Sequence, residues 1–157
     1  SRVAQVVRPT RVLEIGFGLG ISAGLIQQHL RPTEHHIAEI DTGIYGDLVR
    51  FAGQHPGVQP CLGDWRTAAL AAPFDLVFYD PFDFTGAPDE VGMEAQLLRR
   101  LVGIDGVLCH PHFGDGPTRD LPGFRTVVLS RFAVPHIDMA DGTKCEHAAA
   151  LLCYPLT

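Results

Sequence analysis

The stretch Arg11-Val12-Leu13-Glu14-Ile15-Gly16-Phe17-Gly18-Leu19-Gly20 constrains the fold more than any other part of the chain. A β-prone run broken by one acid, then glycine at every second position, then an apolar start at Ile21, reads as strand, tight turn and helix N-terminus. Glycine lets the backbone turn where a Cβ would clash and lets a ligand approach the main chain. Ile37-Ala38-Glu39-Ile40-Asp41 follows as a second strand ending in acids, where a carboxylate can take both hydroxyls of a ribose. The two segments together predict a site for a nucleotide-like cofactor. The glycine turn alone also suits a plain βα connection.

A dinucleotide fold wants G-x-G-x-x-G, whose third glycine brings the helix close to the strand and its N-terminus to a pyrophosphate. The spacing here is G-x-G-x-G, and no Gly-Lys-Ser/Thr follows to make a P-loop. With Glu14 just before the turn, L-E-I-G-F-G-L-G resembles motif I of the class I S-adenosyl-L-methionine-dependent methyltransferases. The cofactor of that superfamily carries an amino acid and no phosphate.

The 157 residues suit one domain, 1–157, with a single core. A net charge of −6 argues against a nucleic-acid binder, which neutralises phosphates with clustered Lys and Arg, and favours a small cationic substrate. Cys61, Cys109, Cys145 and Cys153 are far apart and mostly in apolar runs, which reads as free buried thiols of a reducing compartment. With no long apolar run and no signal peptide at the start, a cytoplasmic protein without membrane contact is expected. The chain opens only ten residues before the first strand, so the expectation includes a missing N-terminal lid segment.

Apolar periodicity predicts strands at Arg11 to Ile15, His35 to Ile40, Val58 to Leu62, Phe74 to Asp80 and Gly106 to His110. Helices are predicted at Ile21 to Leu30, Ile44 to Gln54, briefly at Thr67 to Ala71, and at Glu90 to Val102. Phe124 to Arg131 and His147 to Leu152 read as a closing pair, and the Gly-, Asp- and Pro-rich segment from Phe113 to Pro122 as a connection without a long helix. Alternation of this kind gives an α/β fold with a doubly wound, mainly parallel sheet. Ligands then bind at the carboxyl ends of the strands, which places Gly16 to Gly20, Glu39, Asp64, Asp80 and His110 along one rim. The methyltransferase version of this fold is seven-stranded and ends in an antiparallel hairpin, a role that the closing pair fits.

Asp80 ends an apolar strand and precedes Pro81. A carboxylate there is costly unless it is hydrogen-bonded or faces a cation. It reads either as a cap for the next turn or as an acid aimed at a cationic substrate. L-E-I-G-F-G-L-G-I-S-A, I-A-E-I-D-T-G-I-Y, L-G-D-W, F-D-L-V-F-Y-D-P and G-V-L, in that order, are similar to blocks of guanidinoacetate N-methyltransferase and its arginine guanidino N-methyltransferase relatives.

The resemblance implies an S-adenosyl-L-methionine-dependent N-methyltransferase of a small guanidino compound, leaving S-adenosyl-L-homocysteine. It implies that Gly16, Phe17, Gly18, Leu19, Gly20 and Ile21 line the methionine part of the cofactor, that Glu14 also binds the cofactor, and that Glu39 takes the ribose. Ile40 and Asp41 would flank the adenine, and Asp64 with Trp65 would close over it. Asp64 stands where the family pattern has an apolar residue; Trp65 also suits a core anchor. Asp80 would be the catalytic and substrate-binding carboxylate and would bind the cofactor as well.

The family also uses an acid ahead of motif I, and Ser1 to Thr10 contain none. Either that segment is missing from the sequence, or another acid such as Asp83 or Asp138 substitutes, or the protein does not methylate a guanidine. His110 and His112, after the fifth strand, read as substrate-pocket or plain loop residues, and their spacing is no recognised metal pattern, so no metal is expected. His35-His36 reads as surface and sheet-edge structure, and Gln27-Gln28 as a solvated helix face. A homodimer is compatible with this reading. The rival functions are methylation of another amine, a hydroxyl or a peptide arginine, and a catalytically silent cofactor-binding or dimerisation domain.

Overall fold

Seven strands form one sheet in the order β3-β2-β1-β4-β5-β7-β6. The computed structural model describes residues 8–80, 88–118, 120–138 and 144–157. The strands are β1 (Arg11–Ile15), β2 (Glu34–Glu39), β3 (Val58–Leu62), β4 (Phe74–Tyr79), β5 (Val102–Phe113), β6 (Phe124–Asp138) and β7 (Lys144–Pro155). Strands β1 to β5 pair in parallel, whereas β7 runs antiparallel between β5 and β6. The order reverses between β1 and β4, so the loops leaving these neighbours diverge and open a crevice at their carboxyl ends.

Helix α1 (Ile21–His29) starts directly from the glycine turn, and α2 (Thr42–Ala52) starts where Asp41 accepts the amides of Gly43 at 2.8 Å and Ile44 at 2.9 Å. Ala23 and Ile26 of α1 and Leu48 of α2 pack on the sheet face that carries Val12, Ile37 and Leu76. Helix α3 (Pro88–Leu101) turns Ala95 and Leu98, one helical turn apart, against Leu13, Val77 and Leu108 on the other face. Both faces of the central strands are thereby covered, which accounts for the near-continuous apolar runs in β1 and β4.

Several expectations change. Thr67 to Ala71 is not a helix: the amides of Thr67 and Ala68 close one turn on the Asp64 carbonyl, and the chain then extends towards Pro73. A single turn has too few bonds to propagate, and the residue before a proline is pushed out of the helical region. Strand β5 is longer than Gly106 to His110, because its far half gains the antiparallel partner β7 and its near half follows α3 without a loop. Its register to β4 shifts between Phe74 and Leu76, where a Cβ on Gly106 would lie 2.7 Å from the Phe74 carbonyl oxygen. The closing pair is likewise longer, with β6 and β7 matched from Phe124–Pro155 to Asp138–Lys144.

His35 and His36 lie on an interior strand, not an edge, since β2 is flanked by β1 and β3. His35 is fully buried, and Gln27 turns inward to meet it, 2.9 Å from Nδ1. Among the cysteines, Cys61 is half-buried and Cys109, Cys145 and Cys153 are buried; all four are free. Among the described residues no helix is long and apolar enough to cross a membrane.

Candidate active site

A cleft of about 610 Å³ occupies the crevice at the carboxyl ends of β1, β2, β3 and β4. Gly16, Phe17, Gly18, Leu19 and Ile21 form one wall, Glu39, Ile40 and Asp41 a second, Asp64 and Trp65 a third, and Asp80 closes the β4 side. Four loops, separated in sequence, thus converge at the rim that the sequence alternation points to. A second cavity of about 390 Å³ lies between Thr10, Asp75, Val107 and Tyr154, away from all of these residues.

The glycine turn depends on two backbone positions that a side chain would spoil. Gly16 has φ +89°, and a Cβ there would sit 3.2 Å from the Asp80 carbonyl oxygen. Gly20 has φ +72°, and its Cβ would meet the Phe17 ring at 2.7 Å. L-residues rarely adopt these φ values. Phe17 itself turns its ring inward, 5.5 Å from that of Phe51, and anchors the turn to α2.

Glu39 reaches across from β2 and organises this turn. Its Oε2 accepts the Phe17 amide at 2.9 Å and the Gly18 amide at 3.4 Å, while Oε1 accepts the Asp41 amide at 2.8 Å. A buried carboxylate is tolerable here because backbone donors replace its water. Ile40 and Leu19 remain exposed at the mouth, 65% and 90%, as apolar surfaces without protein cover.

Trp65 is buried, with its ring edge-on to Tyr79 at 5.6 Å. The indole packs in the core beside β4, as a core anchor does, and also lines the cleft. Asp64 is committed to Arg66, accepting its amide at 2.9 Å and its guanidinium at 3.2 Å. Asp41 is committed to the α2 cap.

Of the four carboxylates lining the cleft, Glu39, Asp41, Asp64 and Asp80, only Asp80 has a side chain that accepts no hydrogen bond among the described residues. Asp80 stands at the mouth with its residue exposed, yet protein shields part of the carboxyl. That desolvation, and then the charge of Glu14, raise its pKa above the ordinary aspartate value.

Not every expected residue reaches the cleft. Glu14 faces α1 instead and is fully buried, bonded to the Ser22 hydroxyl and to His35, so it acts on the site only through its charge. Gly20 shapes the turn without lining the cleft.

His110 and His112 do not line the cleft either. His112 turns to the Gly116 carbonyl at 3.2 Å. His110 bonds the Pro111 carbonyl through Nδ1 at 3.0 Å, leaving its buried Nε2 without a partner among the described residues; burial lowers its pKa. Asp83 lies outside the described residues, as does the side chain of Asp138.

Sequence reasoning passed over Arg66, which lines the cleft, and Glu94, which holds it. The alternation of Asp64, Trp65 and Arg66 was a usable local signal; the partnership with Glu94 spans two elements and had none.

Comparison with solved structures places this architecture. N-methyltransferase NodS from Bradyrhizobium japonicum WM9 superposes with a TM-score of 0.74 at 12% identity, over 99% of this chain and 91% of that one. The putative methyltransferase yhhF from Escherichia coli gives 0.69 at 14% identity, over 99% and 81%. These likenesses establish the methyltransferase fold.

Among curated proteins, protein arginine N-methyltransferase 2 of Aspergillus oryzae is 34% identical over 91 residues, 52% of this chain and 22% of that protein. Its Aspergillus fumigatus counterpart is 37% identical over 92 residues, 52% and 21%. The match therefore takes in about a fifth of the length of these relatives. The profile of guanidinoacetate N-methyltransferase matches residues 2–91, which include the glycine turn, Glu39, Trp65 and Asp80. That span exceeds half of the sequence, and the chain belongs to the guanidinoacetate N-methyltransferase family.

Proposed function

We propose that the protein transfers a methyl group from S-adenosyl-L-methionine to a guanidino nitrogen of a small cationic substrate. The observation that carries this reading is the Asp80 carboxylate, which accepts no hydrogen bond among the described residues, beside a cleft whose other three acids are already engaged. Family membership and the name of the arginine N-methyltransferase relatives support the guanidino acceptor. A NodS structure in complex with S-adenosyl-L-homocysteine has the same fold, with a TM-score of 0.70.

The cleft residues suit such a cofactor. Close main-chain approach at Gly16 and Gly18 suits the amino-acid part, and Glu39 stands at the end of β2, where Oε1 accepts a single amide and keeps a lone pair for a ribose hydroxyl. Ile40 and Trp65 offer apolar surfaces for a purine. When bound, the cofactor supplies an electrophilic methyl group on a sulfonium.

The protein's task is then to prepare the acceptor. A guanidinium has delocalised lone pairs and stays protonated in water, with a pKa above about 12. Two-point contact with the Asp80 carboxylate would hold the planar fork and draw positive charge away from the reacting nitrogen. The same carboxylate accepts the proton which that nitrogen gives up as its new N–C bond forms. The raised pKa makes Asp80 a better base than an ordinary aspartate. Holding nitrogen and methyl in line accounts for the remaining catalysis.

The test is incubation with methyl-labelled S-adenosyl-L-methionine and guanidinoacetate, arginine, an arginine peptide, simple amines and alcohols. Label on guanidinoacetate or arginine is the expected result, and label on the arginine peptide alone overturns the small substrate. Label only on an amine or a hydroxyl overturns the acceptor, and cofactor binding with no transfer to any of them points to the silent domain.

A further inference from the structure

Glu94 lies on α3, outside the walls of the cleft, yet one of its carboxylate oxygens meets a residue that lines it and the other meets the neighbour of Asp80 on β4. Oε1 accepts from Arg66 Nη2 at 3.1 Å, and Oε2 accepts from the Tyr79 hydroxyl at 2.8 Å. Arg66 belongs to the turn that carries Asp64 and Trp65, with its guanidinium 5.8 Å from the Trp65 ring centre. Tyr79 is the residue before Asp80 at the end of β4. The edge-on contact between Trp65 and Tyr79 closes the loop of interactions.

We propose that Glu94 is a positioning residue that couples the cofactor wall at Trp65 to the acceptor carboxylate at Asp80. The inference rests on the function proposed above and extends it to a residue that touches neither cofactor nor substrate. Its physical basis is the shared acceptor. Glu94 has a side chain only 13% exposed, so its hydrogen bonds are little diluted by water.

Burial opposes the charge of Arg66, but the bond to Glu94 and the charges of Asp64 and Glu94 outweigh it and raise its pKa. Burial and the same carboxylate keep the Tyr79 hydroxyl protonated, as a donor. Movement of the Trp65 turn therefore pulls on Arg66, and through Glu94 on the strand end that presents Asp80.

Calorimetry with S-adenosyl-L-homocysteine tests the coupling without relying on turnover. Tyr79→Phe, Arg66→Met and their double variant are measured, first with Glu94 in place and then with Glu94→Gln. With Glu94, each single change is expected to weaken binding roughly threefold to tenfold, and the double variant less than the product of the two, the behaviour of residues sharing one network. With Glu94→Gln the two effects should become independent. At saturating cofactor, Glu94→Gln should also lower kcat while KM for the acceptor moves little.

A merely structural Glu94 would lower the melting temperature and leave the effects of Tyr79→Phe and Arg66→Met independent in both backgrounds; that result overturns the proposal. If Glu94→Gln does not fold, the cycle between Tyr79 and Arg66 decides alone, independence again being the overturning result. Absence of binding by the unaltered protein overturns this proposal together with the cofactor reading, whereas binding with independent effects overturns the coupling only.

Discussion

Glu14 and His35 face each other between neighbouring strands with 3.0 Å between Oε2 and Nε2, and neither side chain has any exposed surface. Gln27 donates to His35 Nδ1 at 2.9 Å, which leaves the Nε2 proton for Glu14, and the Ser22 hydroxyl occupies the other carboxylate oxygen. A charge is thereby held beneath the glycine turn by donors from β2 and α1. Burying it without them would cost several kcal/mol per ion.

Replacing His35 by alanine should therefore cost stability on the scale of a lost hydrogen bond to a buried charge, about 1.5–3 kcal/mol, because Glu14 loses its main donor in a dry site. Chemical denaturation followed by circular dichroism measures this. A loss below about 1 kcal/mol, the scale of a neutral hydrogen bond, would show that water or a neighbour takes over.

Glu39→Ala should weaken S-adenosyl-L-methionine binding by about 1–3 kcal/mol, the usual range for losing a charged hydrogen-bonding group. The turn itself should loosen as well, since the amides of Phe17 and Gly18 lose their acceptor. Calorimetry on the variant and the parent gives the first quantity, and hydrogen exchange at Phe17 the second.

The sole tryptophan makes the cleft self-reporting. Trp65 lines the cavity while remaining buried, so cofactor titration should change both the intensity and the position of its emission. An unchanged spectrum at saturation would assign Trp65 to the core alone.

Asp80→Asn preserves shape but removes charge and basicity. Cofactor affinity should stay close to normal while turnover on the best guanidine falls by at least roughly 10²-fold, as for a lost general base. Wild-type turnover in this variant would exclude Asp80 as the proton acceptor.

The pH profile follows from the environment of Asp80. Its raised pKa means that the basic form is lost, and kcat/KM falls, at a higher pH than for an ordinary aspartate. Desolvation is the larger cause and the Glu14 charge the smaller, so Glu14→Gln should move the acid limb to lower pH without restoring the ordinary value. An acid limb that does not move would show that Glu14 is screened from Asp80.

Much of the site was legible before any coordinates. The glycines from Gly16 to Gly20, the acid at Glu39 and the apolar strand ending at Asp80 are local patterns, because turn geometry and strand burial restrict residue type within a few positions. Family blocks extended that legibility to Trp65. The mainly parallel sheet and the rim holding these residues followed from the βα alternation, since such sheets bind ligands at the carboxyl ends of their strands.

Partnerships between side chains depended on tertiary structure. Whether Glu14 meets ligand or protein depends on which face of β1 α1 covers, and His35 became a buried donor only because β2 lies inside the sheet. The same holds for Glu94: one carboxylate in an ordinary helical sequence joins Arg66 and Tyr79 only after α3 packs against β4 and β5. Local sequence sets backbone preference and burial, whereas long-range packing decides which polar group answers which, because a buried charge takes whatever donors the fold brings within about 3 Å.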